Sequence, residues 1–494
     1  MQKIKDIFTG PSKDSMLLMF VRIVTMGLGL CISRILSQAL SLQAYGTYSQ
    51  IMLLVSTIAS ITICGMADGC NFYFYNNKGL KEREEYISTI FAWQYIMGIV
   101  AGTVLLCCSL QISSYFRNPA LKRLLLFAAV LPMTQNIISM LQVLFVAIGR
   151  AKDIAVRNLI ISVSRLILFT LASCIFESVN AVLSFSLIMD LLQIVYFRVT
   201  LKREHCPCSL KNVNFRLAGK IFSFCIPMAA FIVLSSLSRD CDRYVISAFT
   251  DTDTMAVYTN AAKMLPFDII TVSYGTVLVP YITRYISQKN FEKAQDIYRM
   301  FLEISFSTTA VLATAAAVGA PMLMELLYSE KYMSGLAVFT VYIFTDIFRT
   351  LNITLVLSAA GKGKVLLAIS AGSLLGNLVL NIIFFKTMGI VGPAVSTLII
   401  TAITGIIIQK KCAETLNCNI HELFDWKYIT KLIVELLGFG IVFHLISNAL
   451  AYTGIHYFVR LIIVSGSYGI ILIALNCKRF LKCVGEIGKY KLTT

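Results

Sequence analysis

The sequence predicts an all-α integral membrane protein with about fourteen transmembrane helices, on three observations: apolar spans long enough to cross a bilayer, few charges, and basic residues gathered in alternate loops. Of 494 residues, 57% are hydrophobic and 14% charged, where a soluble chain carries about a quarter charged. Mean hydropathy is +0.77. The apolar excess must therefore face lipid. A net charge of +17 would suit nucleic acid if the cations formed one stripe, but they fall in short clusters between apolar spans. That placement reads as membrane topology.

A span needs roughly 20 mainly apolar residues. Segments meeting that requirement run approximately 16–35, 47–67, 87–110, 121–148, 154–176, 179–198, 220–240, 255–283, 299–327, 335–360, 365–385, 390–409, 429–449 and 455–476. The fifth and sixth are separated by Glu177 and Ser178 alone. Residues 1–15 are polar and basic; Ile4, Ile7 and Phe8 would share one face of a short interfacial helix, and a disordered tail is the alternative reading. The segment that follows is interrupted by Arg22 and reads as a retained first helix instead of a removed signal peptide. Roughly thirty of the 43 Lys and Arg lie in one set of alternate loops, which places both termini in the cytoplasm. That set includes Arg150, Lys152 and Arg157, while the cluster Arg117, Lys122 and Arg123 violates the rule. Eight of the fourteen cysteines sit in or beside spans as small packing residues, and the others fall in loops assigned to a reducing compartment, so no disulfide is expected.

An internal repeat organises the spans. Arg34 and Tyr48 correspond to Arg243 and Tyr258, and "AIGRAKDIAV" (147–156) to "AAGKGKVLLA" (359–368), at a nearly constant offset of about 210 residues. The implied domains are a six-helix lobe at 1–200, an inter-lobe loop at 201–219 and a second six-helix lobe at 220–410. Residues 411–494 add a loop, two further helices and a tail. An even number of spans separates the copies, so the repeat is parallel, with its pseudo-twofold axis along the membrane normal.

The residues that carry chemistry are cations at membrane depth: Arg22, Arg165, Arg239, Arg243, Lys263, Arg349 and, at the start of the last span, Arg460. Each costs roughly 2.5 to 3.5 kcal/mol at the centre of a lipid-facing helix, so a set of them should line a hydrated cavity. Arg239 and Arg243 are four apart, with Asp242 beside them, and Lys263 is read as sharing a helical face with Asn260. Arg22, Arg165, Arg239, Arg243, Lys263 and Arg349 would then form a positive cavity between the lobes, suited to a phosphate or pyrophosphate. The competing reading is mutual neutralisation by carboxylates at similar depth. Asp190, Asp242, Asp268 and Asp346 are the candidate ion-pair or coupling-ion groups, and Asp240 lies nearby.

Other motifs carry little. "HCPC" (205–208) offers three donors without the fourth that zinc needs, and "GKGK" (361–364) lacks the phosphate-loop spacing. No metal, cofactor, nucleotide-binding domain or catalytic constellation is expected. Pro132, Pro227, Pro266 and Pro280 mark places where spans can bend.

Three stretches, "AYGTYSQIMLLVSTIASITICGMADG" (44–69), "RDCDRYVISAFTDTDTMAVYTNAAKM" (239–264) and "GNLVLNIIFFKTMGIVGPAVSTLI" (376–399), resemble the polysaccharide-transporter branch of the MOP superfamily. The Wzx-type O-antigen and capsule repeat-unit flippases look most similar. The resemblance implies a MATE-like fold and a non-enzymatic flippase of a bacterial inner membrane. Its implied substrate is an undecaprenyl-pyrophosphate-linked oligosaccharide, moved by alternating access through a cationic central cavity. The implied partners are that lipid-linked oligosaccharide, membrane lipid, and the polymerase and glycosyltransferases of the same pathway, with no nucleic acid. Within the superfamily the alternatives are a lipid II flippase and a multidrug cation antiporter, the latter expected to carry more acid than base in its cavity. From another class, a membrane-embedded glycan polymerase or ligase would usually carry a large outer loop, and the outer loops here reach only about a dozen residues.

The charge asymmetry predicts that cysteines introduced at 205–215 react only with reagents that reach the cytoplasm. Labelling by an impermeant reagent from the opposite side would overturn the orientation.

Overall fold

In the computed structural model, residues 11–76, 79–204, 206, 210, 212–452 and 454–487 are described, and every regular element among them is helical. The leader face formed by Ile4, Ile7 and Phe8 and most of "HCPC" lie outside the described residues, as does the side chain of Arg22.

The chain divides into two compact units, Met1–Val257 and Tyr258–Thr494. In the first, α1 (Pro11–Ala39), α2 (Leu42–Ile63), α3 (Met66–Asn76) and α4 (Leu80–Cys107) are followed by the short α5 (Ser109–Tyr115). Then come α6 (Leu121–Ala147), α7 (Ala151–Cys174), α8 (Val179–Arg203) and the long α9 (Ala218–Phe249). The boundary between the units falls within α10 (Thr252–Ala261). The second unit continues with α11 (Ile269–Ser287), α12 (Phe291–Val318), α13 (Ala320–Leu327) and α14 (Leu336–Arg349). It closes with α15 (Leu355–Ala359), α16 (Gly363–Met388), α17 (Gly392–Leu416), α18 (Trp426–Ala451), α19 (Tyr457–Leu461) and α20 (Ser467–Ile487).

Local chemistry sets many of these boundaries. Ser41 caps α2 by accepting from the Ala44 N–H, Asn290 caps α12 through Lys293, and Asp425 caps α18 through Tyr428. Gly389 ends α16 at a positive φ of 61°, and Asn417 ends α17 in the left-handed region. Ten helices among the described residues are long and apolar enough to cross a bilayer, or eleven with a bent pair counted as one span. That pair, Phe215–Ile226 and Ala229–Phe249, bends by 48° at a break that contains Pro227. Pro132 and Pro280, by contrast, lie inside unbroken helices.

Several of the fourteen expected segments differ in form. The described apolar part of the first is the shorter stretch Ile23–Ala39. The eighth, expected to run through 255–283, is broken: α10 stops at Ala261, a 3-10 turn spans Pro266–Asp268, and α11 begins at Ile269. Pro266 supplies no N–H and disfavours helix at the residue before it. The ninth, expected at 299–327, likewise starts earlier and breaks at Gly319.

Packing also divides the chain at a different place from the repeat offset. The seventh long helix, α9, belongs to the first unit, where Ser60 and Ser236 hydroxyls meet at 2.9 Å and Tyr244 donates to Thr57 at 2.7 Å. The core of that unit joins Met66, Phe91, Leu141, Phe145, Phe197, Ile221 and Cys225. In the second unit, Val311 of α12 packs with Leu432 of α18 and Tyr468 and Leu472 of α20, so the added C-terminal pair is built into its core. Arg479 of α20 bonds Glu303 of α12, at 2.9 Å through Nη2, and also Asp425 at the start of α18. Burial raises the affinity of Asp425 for a proton, but Arg479, the Tyr428 N–H and Arg299 hold its carboxyl below the ordinary range.

Outward faces are apolar. On α7 the exposed residues Val156, Ile160, Val163, Ile167 and Leu171 recur every three or four positions, and Val434, Leu437, Ile441 and Leu445 do the same on α18. Such stripes face lipid in a chain with ten or eleven candidate spans among the described residues.

Close helix approach depends on glycine at Gly46, where a Cβ would lie 2.0 Å from the Thr252 carbonyl oxygen. Gly46→Ala should therefore cost about 1–3 kcal/mol by overpacking and lower the thermal midpoint of the purified protein. Gly27→Ala, within α1 and with no heavy atom within 4 Å of the added Cβ, should leave it unchanged or raise it slightly. Equal midpoints for the two variants would refute the close-approach argument.

Candidate functional site

The membrane-depth cations fall on different helices, and most have partners. Arg165 projects from α7 toward α8, where its Nη2 lies 3.2 Å from Asp190 Oδ1. Asp190 is buried, with 1% of its side chain exposed, whereas 37% of the Arg165 side chain remains exposed. Thr134 Oγ1 donates to the second oxygen of Asp190 at 3.0 Å, and Gln193 Nε2 reaches its first at 3.4 Å. This carboxylate is thus tied to three helices, α6, α7 and α8.

On α9, Arg243 pairs at 2.9 Å with Asp240. Asp242, expected to stand beside it, accepts the Arg243 backbone N–H at 2.8 Å, while the guanidinium turns to Asp240. The difference has a helical cause, since residues three apart share a face and adjacent residues do not. Arg239, on the same helix, is exposed and forms no ion pair among the described residues.

In the second unit, Arg349 pairs with Asp346 one turn back on α14 and lies over the Tyr342 ring at 6.0 Å. Asp346 has 9% of its side chain exposed and Arg349 25%. Lys263 does not share a helical face with Asn260, because α10 ends at Ala261 and Lys263 falls in the irregular stretch before Pro266. Asn260 itself is fully buried, and Asp268 is exposed at the start of α11. Arg460 donates to the Ser447 carbonyl at 3.4 Å.

The six expected cations therefore separate into classes that charge counting alone did not distinguish. Arg165, Arg243 and Arg349 are each partnered by a carboxylate, and Arg239 has none within ion-pair distance among the described residues. Sequence reasoning also misplaced Arg157. It was assigned to a loop, but α7 begins at Ala151, and Arg157 is a buried residue of that helix with 8% exposure. The available signal was its position after three apolar residues, Ile154, Ala155 and Val156, which already mark the helix.

The profile described as polysaccharide biosynthesis protein matches residues 32–336, more than half of the chain. The chain belongs to the polysaccharide biosynthesis protein family. No curated protein sequence matches it. Among solved structures, an inward-facing multidrug resistance MATE family transporter of the MOP superfamily is similar, with a TM-score of 0.63 at 15% identity. The alignment covers 82% of this chain and 98% of that one. A MOP superfamily transporter from Pyrococcus furiosus, described as having a binding pocket of reverse polarity, gives a TM-score of 0.59 at 15% identity, covering 82% and 94%. The Vibrio cholerae MATE transporter VcmN in its bent form gives 0.54 at 16%, covering 82% and 96%. At these identities the likeness shows the fold. This polysaccharide biosynthesis protein is a multi-pass membrane protein with a MATE-like, all-helical fold.

The tie between Arg165 and Asp190 generates a stability prediction for this polysaccharide biosynthesis protein. Arg165→Ala leaves a buried carboxylate without its cation and should cost about 1–3 kcal/mol. Adding Asp190→Asn should restore most of the thermal midpoint. A silent single variant would remove the pair from any structural role.

Proposed function

We propose that this protein is a flippase that moves an undecaprenyl-pyrophosphate-linked oligosaccharide repeat unit across a bacterial inner membrane, with both termini in the cytoplasm. The single observation that carries the reading is membership of the polysaccharide biosynthesis protein family on a transporter fold. The chemistry agrees. A pyrophosphate headgroup needs cations at membrane depth, and this chain supplies Arg165, Arg239, Arg243, Lys263 and Arg349 there, with Arg22 as a sixth candidate. Carboxylate partners do not disqualify them. Arg165 keeps 37% of its side chain exposed while bonded to Asp190, so part of that side chain stays within reach of a second anion. A multidrug cation antiporter would be expected to show the opposite balance of charge.

In this reading the headgroup passes along the cations while its lipid tail stays in the bilayer, and the protein alternates access between the two membrane faces. Asp190, Asp242, Asp268 and Asp346 are candidates for the groups that couple this cycle to an ion. The two-lobe division at 1–200 and 220–410, with the last two spans as an addition, is proposed as the repeat unit of the transporter.

Arg239 gives the direct test, because no ion pair among the described residues would be disturbed. Arg239→Ala should reduce lipid-linked glycan transport about tenfold or more, the weight of one charge-assisted phosphate contact, at unchanged protein level. Arg239→Lys should recover part of it. The paired comparison of Asp346→Ala with Arg349→Ala and their double variant, read by surface glycan, separates headgroup binding from structural pairing. Normal transport in the double variant would overturn the role of Arg349, and normal transport in Arg239→Ala that of Arg239.

A further inference from the structure

The break between α2 and α3 turns a short helix so that one of its sides stays open. Cys64 and Gly65 take left-handed backbone, with φ of 44° and 67°, and α3 restarts at Met66. Its inner side is buried: Met66, Cys70, Tyr73 and Phe74 join the core of the first unit. The opposite side carries Asp68, Asn71, Phe72 and Tyr75, spaced i, i+3, i+4 and i+7 and so aligned in one stripe. All four are exposed, Phe72 by 40% and Tyr75 by 61%. Asp68 and Asn71 form no hydrogen bond or ion pair among the described residues. The rings are held in place, since Phe72 stacks on Phe224 of α9 at 4.2 Å between centroids and Tyr75 donates to the Ala147 carbonyl at 3.3 Å.

This stripe does not suit lipid. α2 and α3 together form one candidate span, Leu42–Asn76, and Gly69 lies beside Ile90 of α4, deeper than the charged stretch Lys81–Glu85. An open carboxylate and an open carboxamide at that depth belong in water, because hydrocarbon would leave both unsatisfied. Their chemistry narrows the ligand. The Asp68 carboxylate repels phosphate and accepts hydroxyl protons, and Asn71 both donates and accepts. The open surfaces of Phe72 and Tyr75 carry the negative face of an aromatic ring, which suits the polarised C–H groups of a sugar ring. Asp68 and Tyr75 stand about 10 Å apart along the helix axis, room for a disaccharide.

We propose that the exposed face of α3 binds the saccharide of the transported lipid-linked glycan, with Asp68 and Asn71 on its hydroxyls and Phe72 and Tyr75 against its rings. The identity of the ligand rests on the transport reading. The site itself is separate from the cations to which that reading assigns the pyrophosphate. An organic cation would also suit a carboxylate among aromatic rings, and membership of the polysaccharide biosynthesis protein family favours the sugar.

The test follows the thermal midpoint of the full-length protein in detergent against four probes. They are the lipid-linked oligosaccharide extracted from the cells that make this protein, the free oligosaccharide released from it by mild acid, undecaprenyl pyrophosphate, and tetraphenylphosphonium. The wild type should half-saturate with the lipid-linked oligosaccharide at a concentration at least about tenfold below that for undecaprenyl pyrophosphate. Asp68→Ala and Tyr75→Ala should each weaken binding of both oligosaccharide probes about five- to tenfold and leave undecaprenyl pyrophosphate binding unchanged. Asn71→Ala should act in the same direction, and it decides the matter if Tyr75→Ala does not fold. Equal half-saturation by the lipid-linked oligosaccharide and undecaprenyl pyrophosphate overturns the saccharide face and leaves the transport reading standing. Free oligosaccharide binding that depends on Tyr75 or Asn71, with no response to undecaprenyl pyrophosphate, removes the pyrophosphate carrier and keeps the face. Unchanged saccharide binding in the folded variants overturns the face, and so does Asp68-dependent binding of tetraphenylphosphonium with no saccharide bound. A protein that answers none of the probes refutes both readings.

Discussion

Hydrocarbon offers no hydrogen-bond partners, and this constraint governs the whole molecule. Each span must satisfy its own backbone, which only helices can do within a single segment. Where helices end or break, side chains and special backbone conformations take over, as at Ser41, Asn290 and Gly389. Buried polar side chains follow the same rule. Asn118 donates to both Thr47 and Gln50 at 2.8 Å, and Asn136 donates to Thr62 at 2.9 Å, so amides fasten α2 to α6 and the turn before it. In the second unit Gln409 accepts from Tyr298 at 3.1 Å and donates to the Leu351 carbonyl at 2.7 Å.

Charges obey the constraint more strictly, because removing an ion from water costs far more than removing an amide. Two solutions appear side by side. Arg243 with Asp240 and Arg349 with Asp346 are neutralised within one helical turn, each on a single helix. Arg165 with Asp190 and Arg479 with Glu303 join separate helices and so also specify tertiary contacts. Against that background Arg157 and Arg239 differ, since their charge is not met by an ion pair among the described residues. A cation kept at membrane depth without a direct counter-ion is where a mobile or exchangeable anion is most favourably placed.

The reversal of roles between Arg157 and Arg349 shows how burial redirects a functional reading. Arg349 stood out in the sequence as a cation at membrane depth with Asp346 three positions away as a candidate partner, and the structure pairs the two. Arg157 looked like an ordinary loop cation, yet it is buried among amides. The difference is one of helix phase and neighbouring helices, since the hydropathy around the two residues does not separate them.

By itself the sequence determined the membrane character, the all-helical class and the polysaccharide-transporter resemblance. Those follow from span length, charge scarcity and short motifs, all properties of contiguous residues. It also marked the cations at membrane depth and raised the pairing of Asp346 with Arg349, because residues three apart on a helix share a face wherever the helix goes. Only the tertiary structure decided that the eighth span breaks before Pro266, that α9 packs with the first unit, that Arg165 meets Asp190 twenty-five positions away, and that Arg157 lies buried. Each of those outcomes depends on which helix faces which, and periodicity within one segment contains no information about the identity of the neighbour.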